Sequence, residues 1–371
     1  REAAANELLI HPRCVLVAVS AAVPALAAEV RAALHSAQIA EASLACLLAP
    51  DTQMAEPALH EAARELGVPL RFAPVQATAS ALAQSVLPQL LAPHALGDGL
   101  AISVAAEPID PQRIGQARGR VAVIGLGPGS RELMAPAVKA ELARADDVLG
   151  YETYVRMAGP FRADQVLHCT DNREELQRAR HAFELAAQGR SVVVVSSGDP
   201  GVFAMSAAVL EALEASSDPH WHRIELEMLP GISASLATAA QAGAPLGHDF
   251  CMISLSDNLK PWSIIEKRLD LAAQADLALA FYNPISRSRP WQLGQALDIV
   301  RRHRDADTPV VLGRDIARPG QSLKVVRLGE LLPDMVDMRT MVLIGSSTTR
   351  TFARADGGEW VYTPRWYPRT E

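Results

Sequence analysis

The feature that most constrains the fold is the way short, continuous apolar runs alternate with amphipathic segments. A run such as Val121–Ile124 has no polar position for a solvated face, so it predicts a strand buried on both faces. Alternation of such strands with helices is typical of βαβ units and mainly parallel sheets. The composition agrees, because 49% of the residues are apolar but only 5% are aromatic, which suits Ala-rich helices on aliphatic strands. We therefore expect an α/β fold.

This pattern divides the 371 residues into three α/β blocks. Residues 1–106 form the first block, with predicted helices Ala25–Ser36, Pro57–Leu66 and Ala79–Leu91 on a mainly parallel sheet. Residues 107–118 contain prolines and charged turns without periodicity, which predicts a linker. Residues 119–246 and 247–371 are two further subdomains. Mixed strand directions are expected in the last one, because no full-length helix separates Ser322–Arg327 from Thr340–Ile344.

Charge and cysteine spacing exclude several classes of function. The net charge of −7 argues against non-specific nucleic-acid binding, although a local cluster of arginines still permits a polyanionic substrate. The four cysteines have no CxxC spacing, so neither a metal site nor a redox pair is expected. Cys14–Ala22 superficially resembles a secretion signal, but Glu2 and Glu7 precede it and an amphipathic pattern follows it. We predict a strand and a helix there, no membrane span, and a cytoplasmic protein.

Turns with unusual backbone demands follow the predicted strands of both later blocks. In parallel α/β sheets, ligands bind outside the carboxyl ends of the strands. One such turn is weak evidence, since turns favour glycine, proline and aspartate for conformational reasons. Five turns from two adjacent blocks predict one lined cleft for a cofactor: Gly125–Gly129, Gly198–Gly201, Pro230–Ser233, Tyr282–Pro284 and Gly313–Asp315.

The first of these turns does not match a dinucleotide-binding loop. Ser130 stands at the third glycine position of the G-x-G-x-x-G pattern, and Pro128 removes a backbone donor. The acidic residue that would hold a ribose is missing, since Asp146 and Asp147 precede the next strand. A Gly-Pro-Gly turn lets a ligand approach the backbone closely without cradling a phosphate. S-adenosylmethionine, which has no phosphate, suits it better, and a nicotinamide-dependent oxidoreductase is the disfavoured alternative.

The motifs VIGLGPG, SGDPGVF, PGIS, FYNP and IGSS follow one another in an order that resembles the tetrapyrrole (corrin/porphyrin) methyltransferase family. Within that family, LSDNLKPW (Leu255–Trp262) and FYNP (Phe281–Pro284) look like the precorrin-3B C17-methyltransferases. The resemblance covers about residues 119–363. It implies two mainly parallel or mixed α/β sheets with a cofactor cleft between them, preceded here by a small α/β domain. The motifs that resemble the tetrapyrrole (corrin/porphyrin) methyltransferase family are, in order, VIGLGPG (Val123–Gly129), SGDPGVF (Ser197–Phe203), PGIS (Pro230–Ser233), FYNP (Phe281–Pro284) and IGSS (Ile344–Ser347).

The resemblance also implies an activity and a set of binding residues. It implies S-adenosylmethionine-dependent methylation of precorrin-3B at C17 with ring contraction, giving precorrin-4 in cobalamin biosynthesis. The alternative is methylation at another position of a precorrin or of uroporphyrinogen. The resemblance further implies a homodimer. S-adenosylhomocysteine is the implied cofactor product, and the tetrapyrrole product is expected to pass to other enzymes of the cobalamin pathway. By motif, the implied cofactor-binding residues are Gly127, Pro128, Gly198, Asp199, Ile232, Ser233, Tyr282, Gly313 and Met341.

Methyl transfer needs alignment and exclusion of water rather than acid–base groups, because the sulfonium is already activated. Ring contraction, which the resemblance adds, needs a general base or acid. Asp257 is the first candidate and His248, at a block junction, is the second.

The substrate carries many carboxylates, which cationic groups bind, and planar guanidinium groups are especially suited to them. The candidate substrate-binding residues are Lys260, Arg287, Arg289 and Arg314.

Each of these assignments has a competing structural interpretation. In the competing interpretation, Asp199 is the N-cap of a helix that starts near Gly201. Asp257 would then cap the following helix, and His248 would be a solvated residue at a block junction. For any single arginine the alternative is an exposed basic turn.

The first block resembles the C-terminal domain of the cobalamin-biosynthesis G protein. The stretches that carry this resemblance are LAPDTQMAEPAL (Leu48–Leu59), LGVPL (Leu66–Leu70) and EPI (Glu107–Ile109). The block departs from that pattern because Gln53-Met54-Ala55 replaces a lysine-containing stretch and Ser20-Ala21-Ala22 replaces a glycine-rich turn. These departures favour a scaffold, regulatory or handover role at least as much as catalysis. A third hypothesis for the whole chain is a non-catalytic tetrapyrrole carrier.

Overall fold

The computed structural model describes residues 10–87, 91–96, 99–171, 174–286 and 288–367. Within these ranges the chain forms three five-stranded sheets and one three-stranded sheet, with helices on the sheet faces. The predicted α/β class is therefore confirmed. No helix in the described ranges combines the length and apolar character that crossing a bilayer requires.

The first sheet has the strand order β3-β2-β1-β5-β4. Its β1, β2 and β3 are parallel, but β5 runs antiparallel to both β1 and β4. The predicted helix Ala79–Leu91 is too long, because it ends at Val86 and Leu91 already begins β4. A short connection joins β4 to β5, which requires antiparallel pairing, so this sheet is mixed. The elements are β1 (Val15–Val19), α1 (Leu26–Ser36), β2 (Leu44–Pro50), α2 (Pro57–Leu66), β3 (Leu70–Ala73), α3 (Ala79–Val86), β4 (Leu91–Leu96) and β5 (Leu100–Val104).

The second sheet is parallel throughout, in the order β10-β6-β9-β7-β8. Its helices α6 and α7 pack on the face that carries Val121 and Val123, and α4 and α5 on the face that carries Ala122 and Ile124. Both faces of β6 are therefore buried, as its unbroken apolar run predicts. The elements are β6 (Arg120–Gly125), α4 (Pro136–Arg144), β7 (Asp147–Tyr151), α5 (Glu152–Ala158), β8 (Val166–Thr170), α6 (Glu175–Ala186), β9 (Ser191–Ser196), α7 (Met205–Glu214) and β10 (Glu225–Leu229).

The third sheet is mixed, in the order β12-β13-β16-β14-β15. Strand β12 is parallel to β13, whereas β16 is antiparallel to both β13 and β14. Helices α9 and α10 cover one face, and α8 covers the other. The elements are α8 (Ala234–Ala242), β12 (Phe250–Ser254), α9 (Trp262–Gln274), β13 (Ala278–Tyr282), α10 (Gln292–Arg301), β14 (Pro309–Arg314), β15 (Ser322–Arg327) and β16 (Thr340–Ile344). A small sheet is formed by β11 (Gly243–Ala244), β17 (Arg350–Ala353) and β18 (Glu359–Tyr362).

Helix α8 lies in the sequence of the second block but packs on the sheet of the third. Its Ala239 and Ala242 contact Ala280 and Val311 of that sheet's core. We therefore propose that the boundary between the two later subdomains lies before α8, near residues 230–233, rather than after residue 246. The loop that precedes α8 then connects the two sheets.

The amino-end side of the third sheet is held by a buried arginine. Arg304 is 8% exposed and donates hydrogen bonds to the carbonyl oxygens of Ala273 (2.6 Å), Leu277 (3.0 Å) and Gly345 (3.3 Å). It also pairs with Asp276 at 3.2 Å. One side chain thus satisfies acceptors from three segments that end or begin at this edge.

We expect Arg304→Met to lower the free energy of unfolding by about 3–5 kcal/mol, because methionine removes the charge that pairs with Asp276 and the donors to three carbonyl oxygens. Urea unfolding, followed by far-UV circular dichroism, measures the change. Arg302→Met is the matched control, since the Arg302 side chain is 62% exposed and, among the described residues, pairs only with Asp270 at 3.2 Å. It should stay within about 0.5 kcal/mol of the parent. Equal effects of the two substitutions would contradict this role for Arg304.

Candidate functional site

Three loops of the second sheet meet beyond the carboxyl ends of β6, β9 and β10. These strands are parallel and adjacent, so their loops leave the same edge. A Cβ on Gly231 would lie 2.2 Å from the carbonyl oxygen of Gly198 and 2.7 Å from that of Gly125. A Cβ on Gly125 would lie 2.4 Å from the same Gly198 oxygen. The close approach leaves no room for a side chain, and we call this meeting point of Gly125, Gly198 and Gly231 the glycine cradle.

Two of the predicted cofactor residues join the loops of the glycine cradle to each other. Gly127 and Gly198 form an antiparallel bridge, with the Gly127 nitrogen 3.1 Å from the Gly198 oxygen and the Gly198 nitrogen 2.8 Å from the Gly127 oxygen. Both glycines have positive φ angles, 74° and 70°, which side chains disfavour. Pro128, next in the loop, is buried.

Asp199 connects two of these loops through its carboxylate. Its Oδ1 accepts a hydrogen bond from the Gly201 nitrogen at 2.9 Å, and its Oδ2 accepts one from the Gly231 nitrogen at 3.1 Å. The following helix, α7, begins only at Met205 and has no side-chain cap. Asp199 is therefore not a helix cap; it holds the cradle in shape.

On the other side of the cradle, Tyr282 contacts both later subdomains. It is the last residue of β13, and its Oη lies 2.9 Å from the Oγ of Ser235 at the start of α8. The Ser235 Oγ is in turn 3.1 Å from the Oγ of the buried Ser233. The ring of Phe203, from the loop after β9, packs on Tyr282 with centroids 5.1 Å apart. Ile232 remains 37% exposed beside this chain of contacts.

The remaining predicted cofactor residues lie on neighbouring strands of the third sheet. Gly313 of β14 pairs with Met341 of β16. A Cβ on Gly313 would lie 2.4 Å from Cγ2 and 2.6 Å from Oγ1 of Thr238 in α8, so a glycine is needed there. Thr238 is 1% exposed, and its Oγ1 has no hydrogen-bond partner within the described ranges. A buried hydroxyl without a partner is destabilising and is available to a ligand.

Several loops at this edge contain non-glycine residues with left-handed backbone. The φ angles are 53° at Phe203, 50° at Asn283, 50° at Asp315 and 63° at Ala317. Such conformations cost about 1–3 kcal/mol each and concentrate at functional sites. Sequence patterns do not identify them, because none of these residue types requires a positive φ.

Arg318 is a residue that the sequence analysis did not single out. It follows β14, and its Nε donates to the Pro128 carbonyl oxygen at 2.7 Å while its Nη2 donates to Ser197 Oγ at 3.1 Å. A residue of the third subdomain thus contacts two loops of the second. A search for arginines shortly after strand ends would have included it, but only folding reveals which way it points.

Asp257 lies three residues after β12, at the same edge as Tyr282. Its Oδ2 accepts a hydrogen bond from Gln292 Nε2 at 3.4 Å. Gln292 is 2% exposed, and its Oε1 has no partner among the described residues. Helix α9 begins at Trp262 with Pro261 as its N-cap, so Asp257 does not cap it.

The predicted substrate-binding cations near Asp257 differ in their surroundings. Arg289 donates to the hydroxyls of Ser256 and Ser286, and within the described part of the chain it has no carboxylate partner. Burial lowers the pKa of Lys260 below its ordinary value. Arg287 lies outside the described residues. Arg289 therefore contacts the residue next to Asp257, whereas Lys260 lies three residues after Asp257 in the chain.

Arg314, the remaining predicted cation, is already engaged by carboxylates. Its Nε donates to Asp337 at 2.8 Å and its Nη1 to Asp315 at 3.2 Å. Hydrogen bonds from Arg339 chiefly, and then the charges of the neighbouring arginines, lower the pKa of Asp315. A substrate carboxylate at Arg314 would have to compete with these acids, so we rank it below Arg289.

His248 is separated from Asp257 by the length of a strand. It precedes β12, whereas Asp257 follows it, and five residues of strand span about 17 Å. The His248 ring packs on Tyr367 with centroids 5.2 Å apart, and Tyr367 donates to Asp276, just before β13. The structure therefore places His248 at the amino end of the third sheet, away from the cradle, because the amino and carboxyl ends of one strand lie at opposite edges of the sheet. We leave it out of the proposed chemistry.

Comparison with known proteins shows the family to which the chain belongs. Residues 120–332, more than half of the chain, match the family described as Tetrapyrrole (Corrin/Porphyrin) Methylases. The chain belongs to this family. Within the tetrapyrrole methylases, it is 49% identical over 249 residues to a precorrin-3B C(17)-methyltransferase from Sinorhizobium sp, covering 67% of this chain and 97% of that protein.

Two further relatives support the same grouping. A probable cobalt-factor III C(17)-methyltransferase from Salmonella typhimurium is 38% identical over 247 residues, covering 67% of this chain and 99% of that protein. The crystal structure of the methyltransferase CobJ aligns with a TM-score of 0.62 and 54% identity, covering 66% of this chain and all of that one. The family match begins at residue 120, so the resemblance of the first block to the cobalamin-biosynthesis G protein stays a prediction.

Proposed function

We propose that the chain transfers a methyl group from S-adenosylmethionine to C17 of precorrin-3B, with ring contraction to precorrin-4 in cobalamin biosynthesis. The observation that carries this proposal is the 49% identity to a precorrin-3B C(17)-methyltransferase, 97% of which is covered by the alignment. The 54% identity to CobJ over that entire chain supports it. Methylation at a different position has no comparable support.

A second candidate substrate is the cobalt-containing counterpart, cobalt-factor III. The observation in its favour is the 38% identity to the Salmonella protein, which is lower than the 49% identity to the Sinorhizobium one. We therefore favour the metal-free precorrin. Parallel turnover assays with precorrin-3B and cobalt-factor III, in which the preferred substrate has the higher kcat/KM, decide between them.

The glycines of the cradle allow the three loops to pack directly against each other, which fixes the shape of this edge, and the buried Thr238 hydroxyl, which has no partner among the described residues, is suited to a polar ligand. We propose that the residues that hold S-adenosylmethionine are those named by motif: Gly127, Pro128, Gly198, Asp199, Ile232, Ser233, Tyr282, Gly313 and Met341. When bound, the cofactor supplies an activated methyl group on a sulfonium.

The protein's own residues then have three tasks. The cradle and Tyr282 hold the loops in a fixed shape, so that donor and acceptor are aligned and water is excluded. Arg289 and Lys260 pair with carboxylates of the tetrapyrrole. Asp257 removes a proton for ring contraction, with Gln292 orienting its carboxylate.

Calorimetry tests the class of cofactor directly. We expect S-adenosylhomocysteine to bind and NADH not to bind, since the first loop lacks the third glycine of a dinucleotide site. Binding of NADH without binding of S-adenosylhomocysteine would overturn the proposed function. Binding of the tetrapyrrole without either cofactor would instead support the carrier hypothesis.

For the first block we propose a scaffold or handover role. The Gln53 side chain accepts from the Ala22 nitrogen at 2.7 Å and donates to the Ser20 oxygen at 2.8 Å. It thereby closes the turn after β1, at the edge where a ligand of such a sheet binds. A homodimer and a cytoplasmic location also remain proposals.

A further inference from the structure

The loop after β14 brings one arginine across to the glycine cradle. Asp315 and Ala317 have positive φ angles, and these two left-handed residues turn the chain sharply just before Arg318. A Cβ on Gly129 would lie 2.5 Å from both Cγ and Nε of Arg318. Only glycine at position 129 therefore leaves room for the arginine stem, so the two loops are shaped to each other.

Arg318 is bound on two of its three nitrogens, and both partners are uncharged. Its Nε donates to the Pro128 carbonyl oxygen and its Nη2 to the Ser197 hydroxyl. Its Nη1 has no hydrogen-bond partner, and no carboxylate pairs with the guanidinium, in the ranges that the structure describes.

The neighbouring arginines differ in this respect. Arg314 pairs with Asp337 and Asp315, and Arg339 pairs with Asp315. Among these three guanidinium groups, Arg318 is the one that forms no ion pair within the described residues, and it is partly exposed. The charge of Arg318 acts on the Asp315 carboxylate, but that carboxylate is hydrogen-bonded by Arg339 and Arg314 instead. A guanidinium without a carboxylate partner beside two loops is suited to an anionic group.

We propose that Arg318 binds a peripheral carboxylate of the tetrapyrrole through Nη1, while its Nε and Nη2 keep the Pro128 and Ser197 loops in place. This inference rests on the proposed function, because it assumes a polycarboxylate substrate. Arg318 is thereby both a substrate contact and a positioning residue: the group that holds the substrate is the group that holds two loops of the cradle.

Three variants test the assignment: Arg318→Gln, Arg318→Lys and the control Arg302→Gln, which removes an exposed arginine on the same subdomain. Loss of a charge-assisted pair should raise the KM for the tetrapyrrole about 10- to 100-fold in Arg318→Gln. Arg318→Lys should show a smaller rise of the KM, because lysine keeps the positive charge but not the planar guanidinium with its several donors. The Kd for S-adenosylhomocysteine, measured by calorimetry, should rise by a smaller factor than the KM, because glutamine loses the loop contacts to Pro128 and Ser197 as well as the charge that binds the tetrapyrrole. Added salt should weaken tetrapyrrole binding more in the parent than in Arg318→Gln.

An unchanged KM in Arg318→Gln would overturn the inference. So would a rise of KM and of the S-adenosylhomocysteine Kd by the same factor, because Arg318 would then serve the loops alone. Failure of the proposed function gives a different result, since the parent protein itself would then not bind S-adenosylhomocysteine.

Discussion

Asp257→Asn is expected to lower the rate of ring contraction about 10²- to 10⁴-fold, the usual contribution of a general base or acid. Asparagine has the same shape and still accepts the hydrogen bond from Gln292, but it does not take up a proton. The Kd for S-adenosylhomocysteine should not change, because Asp257 lies beyond β12 and not in the glycine cradle. Single-turnover assays that separate the methylated from the ring-contracted product measure the effect.

Asp298→Asn is the matched control for Asp257→Asn. Asp298 lies on α10 with its side chain 77% exposed and pairs only with Arg301 at 3.6 Å among the described residues. The Asp298→Asn variant should carry out ring contraction at the parent rate. Ring contraction at the parent rate in Asp257→Asn would remove Asp257 from the mechanism, whereas loss of cofactor binding would show that it acts through the fold.

Gly231→Ala is expected to raise the Kd for S-adenosylhomocysteine by at least about 100-fold, since displacing a binding loop by about 1 Å has effects of this size. The new methyl group would lie 2.2 Å from the Gly198 oxygen and 2.7 Å from the Gly125 oxygen, and backbone atoms of two strand ends have little freedom to move away. The loops must therefore separate, and the hydrogen bond from the Gly231 nitrogen to Asp199 is lost with them. Calorimetry measures the affinity, and thermal unfolding reports the accompanying loss of stability.

Gly294→Ala is the same substitution at a position without this constraint. Gly294 lies in α10, and the nearest atom to its added Cβ is Pro333 Cγ at 3.9 Å. Alanine is a better helix former than glycine, so this substitution in the first turn of α10 should raise the free energy of unfolding by up to about 1 kcal/mol and leave the Kd unchanged. If Gly231→Ala bound S-adenosylhomocysteine as the parent does, the cradle would not be the cofactor site.

The fold of the second sheet was predictable because its inner strands β6 and β9 contain unbroken apolar runs. Val121–Ile124 and Val192–Val195 are buried on both faces, a pattern typical of a sheet that is covered by helices on both sides. The first sheet was predictable less fully, because β4 has no strong hydrophobic period of its own, so the sequence predicted a helix that reaches Leu91 and no strand at this position. The position of α8 was also hidden, since alanine-rich periodicity defines a helix but not the sheet on which it packs.

The candidate site divides in the same way. Glycine and proline turns mark the loops in the sequence, because backbone conformation restricts residue type locally. The roles of Ser235, Thr238 and Gln292 had no local signal, because each depends on a partner far away in the chain. The position of Arg318 after a strand end was visible in the sequence, but the loops that it contacts were not. His248 and Asp257 stand nine residues apart in sequence, yet an intervening strand puts them at opposite edges of a sheet.

The sequence by itself determined the α/β class, the strands of the two five-stranded sheets in the later subdomains, the turns at their carboxyl ends and the family to which the chain belongs. These follow from short-range patterns of hydrophobicity and of backbone restriction. Only the tertiary structure decided that three glycines touch, that Asp199 links two loops and that Arg318 crosses from one subdomain to the other. Contacts between distant residues depend on how whole sheets and helices pack, and no local pattern encodes that packing.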